Sequence, residues 1–372
     1  MRKIFVNEPK LGGNEKKYLD ECIDTGWISF EGPFVKRFEE GMAHLSQRKY
    51  AVAVSNGSAA LEAAVLALQL GRGDEVILPT FTIISCAAPL VRVGVKPVLV
   101  DADPDTWNMD VHAIEQKITK HTRAIMAVHI YGLPVDMEPV IALAKKYGLY
   151  VIEDAAEMIG QTYRGKPCGS FGDISVFSFY PNKHITTGEG GMVLTDDAHL
   201  AERARSASNL FFGPKRYLHK ELGYNFRMTN LQAAVGCAQL ERIEETLEKK
   251  RHIGEIYNGL LRDVDGIQTP VHQTDYAENV YWVYGIVLED SVGMDADEMG
   301  HRLGEEGIGT RGFFWGMHEQ PVFKKMGLFH GESYPVAERL ARRGLYLPSG
   351  LTLDDEQQAY VAGKVKKVLE EA

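Results

Sequence analysis

The 372-residue sequence predicts an α/β protein built on a doubly wound, largely parallel sheet, with a smaller α+β portion toward its carboxyl end. Three observations predict it. Over the first two thirds, short apolar runs alternate with helical patterns, as strand–helix–strand units do. Near residue 228 this gives way to a long stretch of helical periodicity. Beyond about Gly266, strand and helix candidates mix without the earlier alternation.

The elements follow in order. "YAVAVSN" reads as a strand, "SAALEAAVLALQLG" as a helix closed by a glycine, and "DEVILPT" as the next strand. "KPVLVDAD", "TRAIMAVHIYG", "LYVIEDAA", "DISVFSFY" and "GGMVLTDD" are further strand candidates, with the helical pattern "MEPVIALAKKYG" among them. The segment from "RMTNLQAAVGCAQLER" to "GLLRDV" reads as one long helical stretch, carrying Leu231, Val235, Ala238, Ile243 and Leu247 at near-helical spacing. Thr229 and Gln232 have capping-box spacing at its start. Such a helix would carry the chain from a large portion, residues 1–245, into a smaller one, 246–372, where "YWVYGIVLE" is a strand candidate.

Composition is that of a globular protein: 45% hydrophobic and 25% charged residues, with no low-complexity segment. A net charge of −10 argues against binding nucleic acid, which needs a basic face. Cys22, Cys86, Cys168 and Cys237 form no C-x-x-C pair, so neither a disulfide framework nor a zinc site is indicated, and none of the 12 histidines has metal-ligand spacing. No long apolar run suggests a membrane span, and the expected location is the cytoplasm.

Three segments could carry chemistry. "SNGSAALEAA" puts Asn56, Gly57 and Ser58 between a strand and a helix N-terminus, where free N–H groups favour an anion; the same residues would equally make a capped turn. "VIEDAAE" ends a strand in Glu153 and Asp154, which strand alternation sends to opposite faces. One of them could hold a cationic ring nitrogen, or cap a following helix. In "FSFYPNKHITTGEGG", Lys183 lies between two strands; desolvated near a sheet edge, a lysine has a lowered pKa and can form a Schiff base. Ser178, Thr186 and Thr187 beside it could donate to a phosphate. Phosphate site, carboxylate and lysine together suggest pyridoxal phosphate (PLP).

These segments, with "GDEVILPTFT", "VDADPDTWNMD", "VHIYGLPVDM" and "GYNFRMTNLQAAVGCAQLER", resemble the DegT/StrS family of sugar aminotransferases over nearly the whole chain. The resemblance implies the type I PLP-dependent transferase (aspartate aminotransferase) fold, with a mixed, mostly parallel sheet. It implies that Lys183 is the Schiff-base lysine and moves the proton, and that Asp154 pairs with the pyridine nitrogen. Glu157 would contact the phenolic oxygen, where two close oxygens should share a proton. Gly57, Ser58 and Ser178 would hold the phosphate, and Asn225 would reach it from the other subunit of a homodimer. Where the family often stacks an aromatic residue on the ring, this chain has Ile83; either Phe81 substitutes for the aromatic residue or an aliphatic contact suffices.

Trp27, Ser29, Arg227, Arg311, His318 and Ser349 lie in segments that line the family's substrate cleft, although His318 could equally be a packed histidine. Lys215, Arg216 and Arg311 could neutralise a nucleotide diphosphate. The implied reaction takes the amino group of glutamate to a keto sugar, such as the nucleotide-linked 4-keto-6-deoxy sugar GDP-4-keto-6-deoxymannose, in amino-sugar synthesis for lipopolysaccharide O-antigen. A different keto sugar, or a PLP-dependent sugar dehydratase, is the alternative. Related dehydratases carry histidine in place of the lysine; here the lysine is present and His184 follows it, which favours transamination. A relative that keeps the fold without turnover would be expected to lose Lys183 or Asp154, and both are present.

Overall fold

The computed structural model describes residues 3–215, 217–219 and 221–371. Seven strands form the main sheet: β1 (Tyr50–Val54), β2 (Glu75–Pro79), β3 (Lys96–Val100), β4 (Thr122–Val128), β5 (Tyr150–Asp154), β6 (Ile174–Ser178) and β7 (Gly191–Thr195). Their order is β1-β7-β6-β5-β4-β2-β3. All pairs from β3 to β6 are parallel, while β7 runs antiparallel to both β6 and β1. Every strand candidate of the first two thirds lies in this sheet.

The strands are apolar on both faces because both are covered. Val52, Val54, Leu78, Met126 and Ile152 point into one core, beneath the Gly57–Ala67 and Ala198–Ser208 helices. Ala51, Ala53, Ile77, Ile125 and Val151 point into the other, which takes in the Glu15–Thr25, Pro33–Leu45 and Asn230–Leu240 helices. A four-stranded antiparallel sheet, ordered Ile267–Gln268, Tyr284–Leu288, Gly344–Leu347, Arg311–Gly312, builds a third core with the helices Ile243–Leu261 and Asp355–Glu370. The first described residues belong to this core too: Ile4 bridges Ile308 and packs there, and the Val6 carbonyl accepts from Ser349 N–H.

The single long helix expected from residue 228 onward is two. Asn230–Leu240 starts at Thr229 with the capping box in place, and Ile243–Leu261 follows after a break at Glu241 and Arg242. Arg242 leaves the helical region, at φ −121° and ψ 20°. The Glu241 carboxylate is held by Asn14 at 2.7 Å, Tyr18 at 2.5 Å and Arg37 at 2.7 Å. The apolar periodicity runs through the break because both pieces bury a face, but against different layers: the first packs on the two N-terminal helices, the second on Asp355–Glu370.

Candidate active site

Where β4, β5 and β6 end and β1 turns into the Gly57–Ala67 helix, a cavity of about 560 Å³ opens, closed on its other side by Trp282, Arg311, Phe314 and Tyr346. Ligands collect beyond the carboxyl ends of strands in open α/β sheets. Lys183, Asp154, Glu157, Gly57, Ser58 and Ser178, which lie far apart in sequence, all line this cavity.

Lys183 sits in the loop between β6 and β7, its N–H bonded to the Tyr180 carbonyl. Its side chain is 10% exposed, with Nζ 3.5 Å from Glu157 Oε1 and 3.7 Å from the centre of the Trp282 ring. Burial lowers its pKa from the ordinary lysine value, opposed by the charges of Glu157 and Asp154. Burial likewise raises Glu157 to about 7, with Lys183 pulling it back. Glu157 Oε2 accepts from the Tyr131 N–H at 2.7 Å, so this carboxyl is fixed at one oxygen and faces the amine with the other.

The last two residues of β5 separate as alternation requires. Glu153 turns into the protein, where Gly169, Phe171 and Gly172 N–H groups, Ser175 and His129 all donate to it. Burial raises its pKa, but the His129 bond and the backbone donors outweigh that and hold it below the usual carboxylate value. Asp154 turns to the cavity. Oδ1 accepts from Ala156 N–H at 3.0 Å and Oδ2 from the Cys86 thiol at 3.3 Å. Burial raises Asp154 as well, so a cation placed against it would be held firmly. No helix follows β5 directly, which removes the capping role for this pair.

At the other end of the cavity, Asn56 caps the Gly57–Ala67 helix by accepting from Ala59 N–H at 2.8 Å, leaving the first N–H groups of the turn free. A Cβ on Gly57 would stand 2.8 Å from Ser178 Cβ and 3.0 Å from its Oγ, so only glycine lets the start of the helix pack this closely against the end of β6, which brings its free N–H groups beside the Ser178 hydroxyl. Ser58 Oγ lies 2.7 Å from Ser85 Oγ. This cradle, the buried carboxylate and the amine fit the three ends of PLP: phosphate, ring nitrogen and aldehyde.

Other expected residues stand elsewhere. Phe81 is fully buried against Tyr131, Phe313 and Phe314 and does not reach the cavity; Ile83, two residues on, lines it. Thr186 and Thr187 do not face it either, since their hydroxyls donate to the carbonyls of Phe179 and Glu189. His318 is a packed histidine, 4% exposed, between Thr80 Oγ1 at 2.8 Å and Glu338 at 3.1 Å. Ser349 is fully buried, donating to Leu347 O and accepting from Tyr284 N–H. Arg311 does line the cavity, beside Tyr346.

Trp27, Ser29 and Asn225 are exposed and Arg227 half-buried, and none of the four lines this cavity: Arg227 lies over the Phe30 ring at 4.6 Å and donates to Asn225 and Asn209. The Ser29 carbonyl accepts from Asn230 N–H, and the Trp27 carbonyl from the Asn230 amide. Lys215 is exposed away from the cavity, and Arg216 lies outside the described residues.

The sequence reading missed Cys86 and Trp282, which touch Asp154 and Lys183. Neither carries a local signal, because each is brought to its partner only by the fold. It also missed the buried cluster of His129, Glu153 and Cys168, whose ligand atoms lie within 4.8 Å of one another. That cluster is not a metal centre in waiting: His129 Nδ1 accepts from Val135 N–H, and Glu153 is saturated by donors.

A sheet of this order, with a buried lysine and carboxylate beside a glycine–serine anion cradle, defines a type I PLP-dependent transferase. The DegT/DnrJ/EryC1/StrS aminotransferase family matches residues 9–366, and the chain belongs to it. It is therefore a PLP-dependent sugar aminotransferase. It is similar to the GDP-perosamine synthase of Escherichia coli O157:H7, 41% identical over 368 residues that cover 99% of each chain. Among solved structures it is similar to the aminotransferase TlmJ from Streptoalloteichus hindustanus, with a TM-score of 0.92, 30% identity and 99% of both chains covered. The PMP form of Spr1654 from Streptococcus pneumoniae, at 26% identity and 99% coverage of each, also gives 0.92. No helix among the described residues is long and apolar enough to cross a membrane.

Proposed function

We propose that this enzyme aminates C4 of a nucleotide-linked 4-keto-6-deoxy sugar, GDP-4-keto-6-deoxymannose, with glutamate as amino donor, in the cytoplasm. The observation that carries the chemistry is the Lys183 amine, buried and depressed in pKa between Glu157 and Trp282. The substrate rests on the likeness to GDP-perosamine synthase along the whole chain.

PLP bound in the cavity supplies an electron sink for the carbon whose proton is moved. Asp154 holds a proton on the ring nitrogen, and its own bonds to Ala156 N–H and Cys86 keep the carboxylate in one orientation. Glu157 shares a proton with the cofactor's phenolic oxygen, as a carboxyl raised to about 7 can. Gly57, Ser58 and Ser178 bind the phosphate. Lys183 Nζ would be the base that accepts the proton from the donor's α-carbon and the acid that gives it back, a role its lowered pKa suits. Arg311 at the cavity mouth pairs with the substrate's diphosphate.

The set Trp27, Ser29, Asn225 and Arg227 serves the active site of a second copy in a homodimer, which would explain why these residues miss the cavity of their own chain. Purified protein given PLP, glutamate and a panel of keto-sugar nucleotides should yield the 4-amino sugar from the GDP substrate, read by mass spectrometry. A deoxygenated, nitrogen-free product would establish the dehydratase instead. Preferred amination of another keto sugar would overturn the substrate assignment.

A further inference from the structure

Trp282 is 3% exposed and lines the cavity, and the residue is anchored at its ring N–H, its carbonyl and its backbone N. Its Nε1–H donates to the Asn182 carbonyl at 2.7 Å, which ties the ring to the residue before Lys183. Its own carbonyl accepts from Lys250 Nζ at 2.8 Å. Its backbone N–H lies so close to Gly132 that a Cβ there would approach to 2.6 Å. The ring so held lies 3.7 Å from Lys183 Nζ, well within cation–π range.

We propose that Trp282 is a positioning residue for Lys183, its indole face being the surface on which the free ammonium rests whenever the amine is not bonded to the cofactor. This rests on the aminotransferase reading, in which the lysine is repeatedly freed and re-engaged. Glu157, on the other side at 3.5 Å, cannot hold the ammonium alone. Its carboxyl is itself raised to about 7 by burial and is partly neutral at physiological pH. A ring face does not titrate, so it attracts the amine at every pH at which the amine is protonated, and the Asn182 bond keeps ring and amine in register.

Other groups also act on this amine. Glu157 contacts it, and the charges of Asp154 and the Cys86 thiol act on it through space. His129, Arg311 and Tyr346 lie on the cavity wall, and Tyr180 and Glu189 on the lysine's own loop. His184 and Lys250 stand behind. All of these remain in a Trp282 variant, so a difference between variants isolates the ring.

A cation–π contact favours the protonated amine, and losing it lowers the Lys183 pKa. The test is reductive methylation of the full-length, cofactor-stripped protein across a pH series, with Lys183 labelling read by peptide mass spectrometry. Trp282→Leu should move the labelling midpoint down by about half to one and a half pH units. Trp282→Phe, which keeps a ring, should move it less than half as far. An unchanged or raised midpoint in the leucine variant overturns the proposal. So does an equal fall in both variants, which would assign the effect to the lost Asn182 bond. If the leucine variant does not fold, fluorotryptophan incorporation weakens the ring face without changing its shape. Its midpoint should fall with each added fluorine, and a constant midpoint overturns the proposal. Labelling needs neither cofactor nor donor, so it fails or succeeds separately from the amination assay.

Discussion

Replacing Lys250 with methionine tests the physics that holds Trp282 in place. Lys250 lies in the Ile243–Leu261 helix, 1% exposed, and its ammonium donates to the carbonyls of Trp282 at 2.8 Å and Ser349 at 2.7 Å. Burial lowers its pKa from 10.5 to about 7. A fall of that size corresponds to roughly 5 kcal/mol, an upper figure because the two carbonyl bonds favour the charged form. Since the folded pKa is the lower one, the unfolded chain binds the proton more tightly between pH 7 and 10.5. The cost is fully present below pH 7 and is relieved as pH rises through that window. From pH 7 to about 9.5, the wild type should therefore gain up to roughly 3 kcal/mol of stability relative to Lys250→Met. At pH 7 the variant escapes the buried charge but leaves two carbonyls unpaired, each worth about 1–3 kcal/mol, so the net change there is small. Urea unfolding at both pH values, followed by fluorescence and circular dichroism, measures the difference. Parallel pH dependence of the two proteins would refute the reasoning, because it would mean the carbonyl bonds offset the burial of the charge completely.

Gly57→Ala places a methyl group 2.8 Å from Ser178 Cβ and should weaken PLP binding by about 1.5–3 kcal/mol, roughly ten- to a hundredfold in Kd, measured by cofactor release on dialysis. Lys183→Ala should lower kcat by about 10²-fold or more, and borohydride should no longer fix cofactor to the peptide around position 183. Asp154→Asn should keep cofactor bound and lower kcat strongly, since a neutral amide cannot hold the proton on the ring nitrogen; unchanged turnover would remove Asp154 from the mechanism. Glu157 has its pKa raised in the folded protein to about 7 from 4.5, so its cost is absent below pH 4.5 and complete above about 7. Glu157→Gln should therefore gain stability over wild type as pH rises from 5 to 8, by up to about 3 kcal/mol, read from thermal midpoints in cofactor-free protein.

Much of the fold and part of the site were legible in the chain. The seven sheet strands are short apolar runs between turn signals, the Thr229–Gln232 box marked a helix start, and alternation placed Glu153 and Asp154 on opposite faces. Lys183 could be picked out because its surroundings are unusual in themselves. The helix break at Glu241 and Arg242 was hidden, since apolar spacing says that a face is buried but not against what. Phe81 looked available for a ring face, yet Tyr131, Phe313 and Phe314 close around it and leave Ile83 at the cavity. His318 and Ser349 are polar residues whose partners, Thr80 and Glu338 for one and Tyr284 and Leu347 for the other, turn them inward.

By itself, the sequence determined what is encoded within a few residues: strand and helix periodicity, the glycine at a strand-to-helix turn, a carboxylate at the end of a strand and a lysine in the loop between two strands. Only the tertiary structure decided which of these meet. The Lys183 amine lies between Glu157 and a tryptophan just ahead of the Tyr284–Leu288 strand of the small sheet, and a thiol from the turn after β2 bonds Asp154. The physical reason is range: backbone preference and burial pattern act along the chain, whereas desolvation, charge pairing and ring contacts depend on whatever the fold brings within a few ångströms.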